Sequence, residues 1–246
     1  MGFMPRWFDT HVHLDRYAGA ERVEILARAA ASGVDIIAVA VDLESSAKVA
    51  RQANEIPGAV GIHPKRALSG FEPELRKLAA MSGVVAIGEC GFDSAGPPWE
   101  VQEAAFEAQC RLAHQLGKAL VLHVDGSGAW ERLAGYADDL DGLRVIRHYF
   151  AGDAAQAAWH AARGHYLSFG NPLRRLPELG EIARGYPPEL LLIETDTYPL
   201  PNRSTQPADV VAIGETVAAL RQWTVEECQE QLGRNTVTAF GPELYG

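Results

Sequence analysis

Five of the chain's eight histidines stand at the carboxyl ends of short apolar runs. His11 and His13 follow the first run in Phe8-Asp9-Thr10-His11-Val12-His13, His63 follows Ala59–Ile62, His123 closes Ala119–Leu122, and His148 follows Arg144–Arg147. Two carboxylates join them, Glu89 after Val84–Gly88 and Asp196 after Leu190–Glu194. Alternate residues of an extended segment point the same way, so the H-x-H pair can turn both rings toward one ion. Imidazole and carboxylate donors without thiolate suit Zn, Mn, Fe or Mg. This many donors exceed the needs of one open tetrahedral zinc. They suit two divalent ions about 3.5–4 Å apart that clamp a hydrolytic transition state. Glu89 is the natural bridge, because a carboxylate can offer one oxygen to each ion. Asp196 can orient the attacking water or accept its proton. The other three histidines read as structural. His114 shares a polar helix face with Glu103 and Glu107, His160 lies in an Ala-rich helix, and His165 precedes a strand.

Residues so far apart in sequence need a scaffold that brings strand ends to one rim. Eight short runs rich in Val, Ile and Leu recur along the chain: Arg6–Asp9, Asp35–Val41, Ala59–Ile62, Val84–Gly88, Ala119–Leu122, Arg144–Arg147, Tyr166–Phe169 and Leu190–Glu194. They lack polar alternation, as parallel strands buried on both faces do. Helical patterns separate them. Glu21–Ser32 stops at Gly33 and Pro98–Leu116 stops at Gly117, which is the usual punctuation of Pro inside a helix start and Gly past its end. In the second helix Val101, Ala105, Ala108, Leu112 and Leu116 share one face, which is expected to pack on the sheet. Eight strands alternating with helices over 246 residues predict an α/β fold, a (β/α)8 TIM barrel in a single domain, 1–246. Barrel active sites lie at the carboxyl ends of the strands, where the histidines fall. A doubly wound sheet would show a Gly-rich dinucleotide turn, and neither G-x-G-x-x-G nor a P-loop is present.

Cys90, Cys110 and Cys228 are too few and too scattered for a disulfide framework, and the N-terminus has no apolar leader. A reduced, cytoplasmic setting is expected. No apolar run approaches the roughly 20 residues that span a bilayer, so no membrane association is expected. The 22 Lys and Arg against 32 Asp and Glu give a formal charge of −10. That balance excludes a protein that tracks nucleic acid along a basic groove. It does not exclude one whose positive charge at the site comes from bound ions.

Taken in order, Asp9-Thr10-His11-Val12-His13-Leu14-Asp15, Gly61-Ile62-His63-Pro64, Gly88-Glu89-Cys90-Gly91-Phe92-Asp93, Leu122-His123, His148-Tyr149-Phe150-Ala151-Gly152 and Glu194-Thr195-Asp196 resemble the TatD family of metal-dependent deoxyribonucleases. Gln102 and Phe106 extend the likeness into the following helix. Asn235-Thr236-Val237-Thr238-Ala239-Phe240 resembles the closing Asn-x4-Phe of that family. The resemblance implies an amidohydrolase-type TIM barrel with a divalent-metal centre of Mg, Mn or Zn. It implies phosphodiester hydrolysis on DNA or RNA, often 3′→5′ from a single-stranded end. By position it implies His11, His13, Glu89, His123, His148 and Asp196 as metal ligands, and His63 at the substrate phosphate. Glu89, Asp196 and His63 are accordingly the expected catalytic residues.

Two stretches depart from the family pattern. Asp125 stands two residues after His123, where family members often carry Arg, and the segments Thr197-Tyr198-Pro199-Leu200 and Ser204-Thr205-Gln206-Pro207 replace the usual loop motifs. Lys65, Arg66 and Arg203 are the expected phosphate contacts, with Arg16, Arg174 and Arg175 as further candidates. A small-molecule amidohydrolase, esterase or phosphoesterase on the same barrel is the alternative. Its best-populated binuclear form bridges the ions with a carbamylated lysine on strand 4, and none of Lys48, Lys65, Lys77 and Lys118 lies there. No signature of an obligate protein partner is seen.

Overall fold

The computed structural model describes residues 6–199, 205–241 and 244. All eight expected strands form: β1 (Trp7–Val12), β2 (Val34–Val39), β3 (Gly58–Val60), β4 (Val84–Asp93), β5 (Ala119–Asp125), β6 (Val145–Arg147), β7 (Tyr166–Phe169) and β8 (Leu191–Ile193). They make one sheet in chain order. The registers of β2–β3, β3–β4, β4–β5, β5–β6 and β7–β8 are all parallel. An isolated parallel bridge joins Val12 to Thr197, and the His13 amide donates to the Thr197 carbonyl at 2.9 Å, so the segment after β8 returns to β1. This is the (β/α)8 TIM-barrel fold. The intervening helices are α1 (Gly19–Ala31), α2 (Leu43–Gln52), α3 (Glu72–Ala79), α4 (Trp99–Leu116), α5 (Ala129–Ala134), α6 (Ala137–Leu140), α7 (Ala154–Ala161), α8 (Pro177–Gly185), α9 (Val210–Arg221) and α10 (Val225–Phe240). Among the described residues no helix is long and apolar enough to cross a membrane. The three cysteines are buried and free.

By its packing the chain divides into two compact units, Met1–Ile37 with His148–Thr238, and Ala38–Arg147 with Ala239–Gly246. In the first, all six residues of β1 are buried. Trp7 packs against α9 at Gly214, where an added Cβ would come within 2.3 Å of the indole. Two of the three histidines assigned to structure, His160 and His165, are buried, with their Nδ1 atoms 3.0 Å apart, while His114 is exposed. The Tyr186 hydroxyl donates to the His165 carbonyl at 2.6 Å. Burial, and then the nearby Arg163 charge, push the His165 imidazole down to about 4.

That shift has a sign. The unfolded imidazole, near 6.5, takes up a proton that the folded one refuses, so its contribution is complete above about pH 6.5 and is lost as pH falls toward 4. The loss amounts to roughly 3 kcal/mol at most. Urea unfolding at pH 7, 5.5 and 4.5 should show it in the native protein and a flatter profile in His165→Gln. Equal slopes would rule the assignment out.

In the second unit, all ten residues of β4 are buried. The Asp42 carboxylate accepts from the Ser45 amide at 2.8 Å and caps α2. The buried face of α4 departs from the expected stripe. Ala105, Ala108 and Leu112 are buried as expected, but Val101 is 36 % exposed, while Gln102 and Gln109 are each only 1 % exposed. The Gln109 amide accepts from Ile62 N–H at 2.8 Å and donates to its carbonyl at 3.1 Å. Gln102 does the same for Asp93, at 2.9 and 3.0 Å. Backbone groups left open where a strand ends must find partners inside the protein, and a primary amide satisfies a donor and an acceptor together. The helix face therefore turns two glutamines inward, next to His63 and at the end of β4.

Candidate functional site

In the first unit the donors come from β1, the residues after β6, and the residues after β8. His11 lies within β1 rather than after it, and His13 is the first residue beyond. The His11 and His148 rings stack with centroids 4.1 Å apart, and the His11 and His13 rings meet edge-on at 5.0 Å. Asp196 Oδ1 lies 3.3 Å from His13 Nε2 and 3.9 Å from His11 Nε2. The backbone at Asp196 is left-handed, with φ 52°, as is that of Tyr149 next to His148, with φ 43°. Such conformations are uncommon outside glycine and collect where a side chain must be aimed. Burial opposes the charge on Asp196, but the hydrogen bond from His13 and the fields of His11, His13 and His148 outweigh it and hold the carboxyl at about 2.

Asp9 organises the backbone here. It accepts from the His11 amide at 3.3 Å, the Thr195 amide at 2.9 Å and the Thr195 hydroxyl at 2.5 Å. Burial nevertheless pushes its carboxyl well above the usual range, against those hydrogen bonds and with help from the charge of Glu194.

In the second unit His63, Glu89 and His123 each offer a donor atom within 4.8 Å of the others. His123 Nδ1 is 3.3 Å from Glu89 Oε2, and His63 Nε2 is 3.9 Å from Glu89 Oε1. His63 Nδ1 accepts the Lys65 amide at 3.0 Å, which turns Nε2 toward Glu89. Glu89 lies mid-strand, because β4 continues to Asp93. The strand tolerates this course because Gly88 and Gly91, with φ of 132° and 139°, let it press against β5. A Cβ on Gly91 would lie 2.0 Å from the His123 carbonyl oxygen.

The expected donors are thus gathered within the units: His11, His13, His148 and Asp196 in the first, Glu89 and His123 with His63 in the second. The expected phosphate contacts fare differently. Lys65 Nζ lies 3.0 Å from Asp93 Oδ2, and that hydrogen bond raises the lysine pKa. Its charge is engaged by protein rather than held free for substrate. Arg66, Arg16, Arg174 and Arg175 are exposed, while Arg203 and Leu200 lie outside the described residues. Tyr198 sits with its ring 6.0 Å from that of His13. Asp125 is exposed at the end of β5 and offers an oxygen within 4.8 Å of donors on Asp93 and His123.

Two acids escaped the sequence reading. Glu194 is fully buried; its Oε1 accepts from the Tyr149 amide at 2.7 Å and from His148 Nδ1 at 3.1 Å. Asp93 accepts from His123 Nε2 at 2.9 Å. The signal available was spacing, since Asp93 is four residues beyond Glu89 in one strand and Glu194 two before Asp196. The donor set fits a cation. His11, His148 and Glu194 each bring a donor atom within 4.8 Å of the others, and Glu194 Oε2 is buried with no hydrogen-bond partner among the described residues. A buried carboxylate oxygen left bare is costly, and the field of a cation held by the adjacent imidazoles offsets that cost without the oxygen having to ligate it.

A family model described as TatD related DNase matches residues 8–241. The chain is 33 % identical over 261 residues to the 3′-5′ ssDNA/RNA exonuclease TatD of Shigella flexneri, covering 95 % of this chain and 98 % of that one. It is 30 % identical over 252 residues to the uncharacterized metal-dependent hydrolase YabD of Bacillus subtilis, with coverage of 95 % and 98 %. Among solved structures it is similar to YJJV, a TatD homolog from Escherichia coli, with a TM-score of 0.85, 26 % identity and coverage of 96 % and 98 %.

Proposed function

Because the chain belongs to the TatD-related DNase family of metal-dependent hydrolases, we propose that it releases nucleotides from the 3′ end of single-stranded DNA or RNA, with two divalent ions held by His11, His13, Glu89, His123, His148 and Asp196. The observation that carries this reading is the first unit's cluster, the imidazoles of His11, His13 and His148 gathered with the Asp196 carboxylate, whose Oδ1 is 3.3 Å from His13 Nε2 and 3.9 Å from His11 Nε2, in a chain similar to a named ssDNA/RNA exonuclease. Such ions, when bound, supply Lewis-acid polarisation of the phosphodiester and a nucleophile at neutral pH.

The protein's own residues do the rest. Asp196 stays ionised across the working range and can hold the attacking water in line by accepting its hydrogen bond. With Nδ1 occupied by the Lys65 amide, neutral His63 carries its proton on Nε2 and can donate to a phosphate oxygen. Glu194 on His148 Nδ1 and Asp93 on His123 Nε2 leave His148 Nε2 and His123 Nδ1 as the ligating nitrogens. With Lys65 engaged and the whole chain acidic, binding is end-localised and its salt dependence shallow.

The test is a 5′-labelled single-stranded oligonucleotide with chelator-stripped protein, then Mg, Mn or Zn restored. Activity should vanish on stripping and return with metal, as a ladder shortening from the 3′ end. The slope of log kcat/KM against log salt should stay shallower than about −2, or some three phosphates. Release of the labelled 5′ nucleotide would overturn the polarity. Turnover confined to lactones or amides, in protein shown to be metal-loaded, would overturn the nuclease reading.

A further inference from the structure

Each unit pairs one expected ligand imidazole with a buried carboxylate that belongs to no expected ligand set. In the first unit Glu194 takes the Nδ1 proton of His148 at 3.1 Å and, with the same oxygen, the amide of Tyr149 at 2.7 Å. That second bond holds the left-handed residue that follows His148, so one carboxylate restrains both the backbone and the ring. In the second unit Asp93 Oδ2 takes the Nε2 proton of His123 at 2.9 Å and the Lys65 ammonium at 3.0 Å, while Oδ1 accepts the Ala95 amide at 2.8 Å. Burial alone would raise the Asp93 carboxyl, but the donors His123, Ala95 and Lys65 hold it below the usual range. The backbone of Asp93 is in turn clamped by Gln102.

We infer that Glu194 and Asp93 are positioning residues, each fixing the tautomer and orientation of one imidazole, His148 and His123 respectively, so that the opposite nitrogen is presented to metal. This rests on the ligand assignment proposed above. An imidazole free to rotate or to change tautomer spends part of its binding free energy on being ordered. A carboxylate on the far nitrogen removes that cost and makes the ring a stronger donor. Lys65, 3.0 Å from the same Asp93 oxygen, helps hold that carboxylate in place.

Mn²⁺ titration calorimetry and the visible spectrum of the Co²⁺-loaded protein test the inference. Glu194→Ala and Asp93→Ala should each weaken Mn²⁺ binding about 10–100-fold and alter the Co²⁺ bands. Glu194→Gln and Asp93→Asn, which keep a carbonyl acceptor, should fall between these and the native protein. Leu75→Ala, a buried leucine on α3, controls for lost stability: it should lower the melting temperature and leave Mn²⁺ affinity unchanged. If either alanine variant binds Mn²⁺ as the native protein does, while His148→Ala and His123→Ala lose it, the positioning role of that acid is overturned and the ligand set stands. If the histidine variants also bind normally, the ligand set itself has failed.

Discussion

Glu89→Gln is expected to fold normally, to lose bound metal, and to turn over about a thousandfold more slowly. Glu89 is 2 % exposed and has the His123 and His63 nitrogens 3.3 and 3.9 Å away. The amide matches the carboxylate in shape, so packing is kept, but it removes the negative charge that offsets a divalent ion. Metal stabilisation of a hydrolytic transition state is worth several kcal/mol, and about 4 kcal/mol corresponds to a factor of ~10³. The loss should fall on kcat more than on KM, because the charge matters most when the phosphoryl oxygens gain charge. Metal analysis after gel filtration, circular dichroism and kcat together decide the matter. Native metal content with a rate within threefold of the native protein would remove Glu89 from the centre.

Gly91→Ala is expected to cost about 4 kcal/mol or more, enough to lower the melting temperature by roughly 10 °C in a chain of this size. Two effects add. A φ of 139° is strained for any residue with a side chain, by about 1–3 kcal/mol. A methyl there would also sit 2.0 Å from the His123 carbonyl oxygen, which belongs to the neighbouring strand and cannot swing away. Relief would require β4 and β5 to part at the point where they carry Glu89 and His123, so metal affinity should fall as well. Gly142→Ala is the comparison. It also has a positive φ, of 75°, but a Cβ there meets nothing within 4 Å, so it should cost only about 1 kcal/mol. Similar losses in the two variants, by thermal unfolding, would mean that the close approach of the strands has no energetic weight.

The extent of β4 shows where sequence patterning stops. Its apolar run Val84–Ile87 is plain, but the strand continues through Gly88-Glu89-Cys90-Gly91-Phe92-Asp93, in which two glycines and two acids hide the pattern. It remains a strand because β5 runs beside it to Asp125, and that pairing is invisible to a local window. The stripe on α4 holds only in part, for a related reason: Ala105, Ala108 and Leu112 are buried, but Val101 is not. Val101 is apolar and was expected inside, yet the helix is rotated so that Gln102 and Gln109 can satisfy backbone of other segments. Periodicity registers apolar burial; it does not register a polar side chain whose partner lies 47 residues away in the chain, as Gln109 and Ile62 do.

Lys65 makes the same point about charge. As a basic residue two positions after His63 it reads as a phosphate contact, and only the folded chain reveals that Asp93 engages it. Glu194 and Asp93 were visible as acids near expected ligands, but nothing local says that an acid faces the far nitrogen of a histidine 46 or 30 residues away.

What the sequence by itself determined is what local patterns encode: eight strands, their alternation with helices, and the gathering of histidines and acids in or just beyond the carboxyl-terminal halves of those strands. Burial of apolar runs dominates folding and is written residue by residue, so those features could be read without coordinates. The tertiary structure decided which acid meets which imidazole, which cation is already engaged, and which helix face turns inward. Those outcomes rest on directional hydrogen bonds and buried charges, whose worth depends on partners distant in sequence and on the water removed around them.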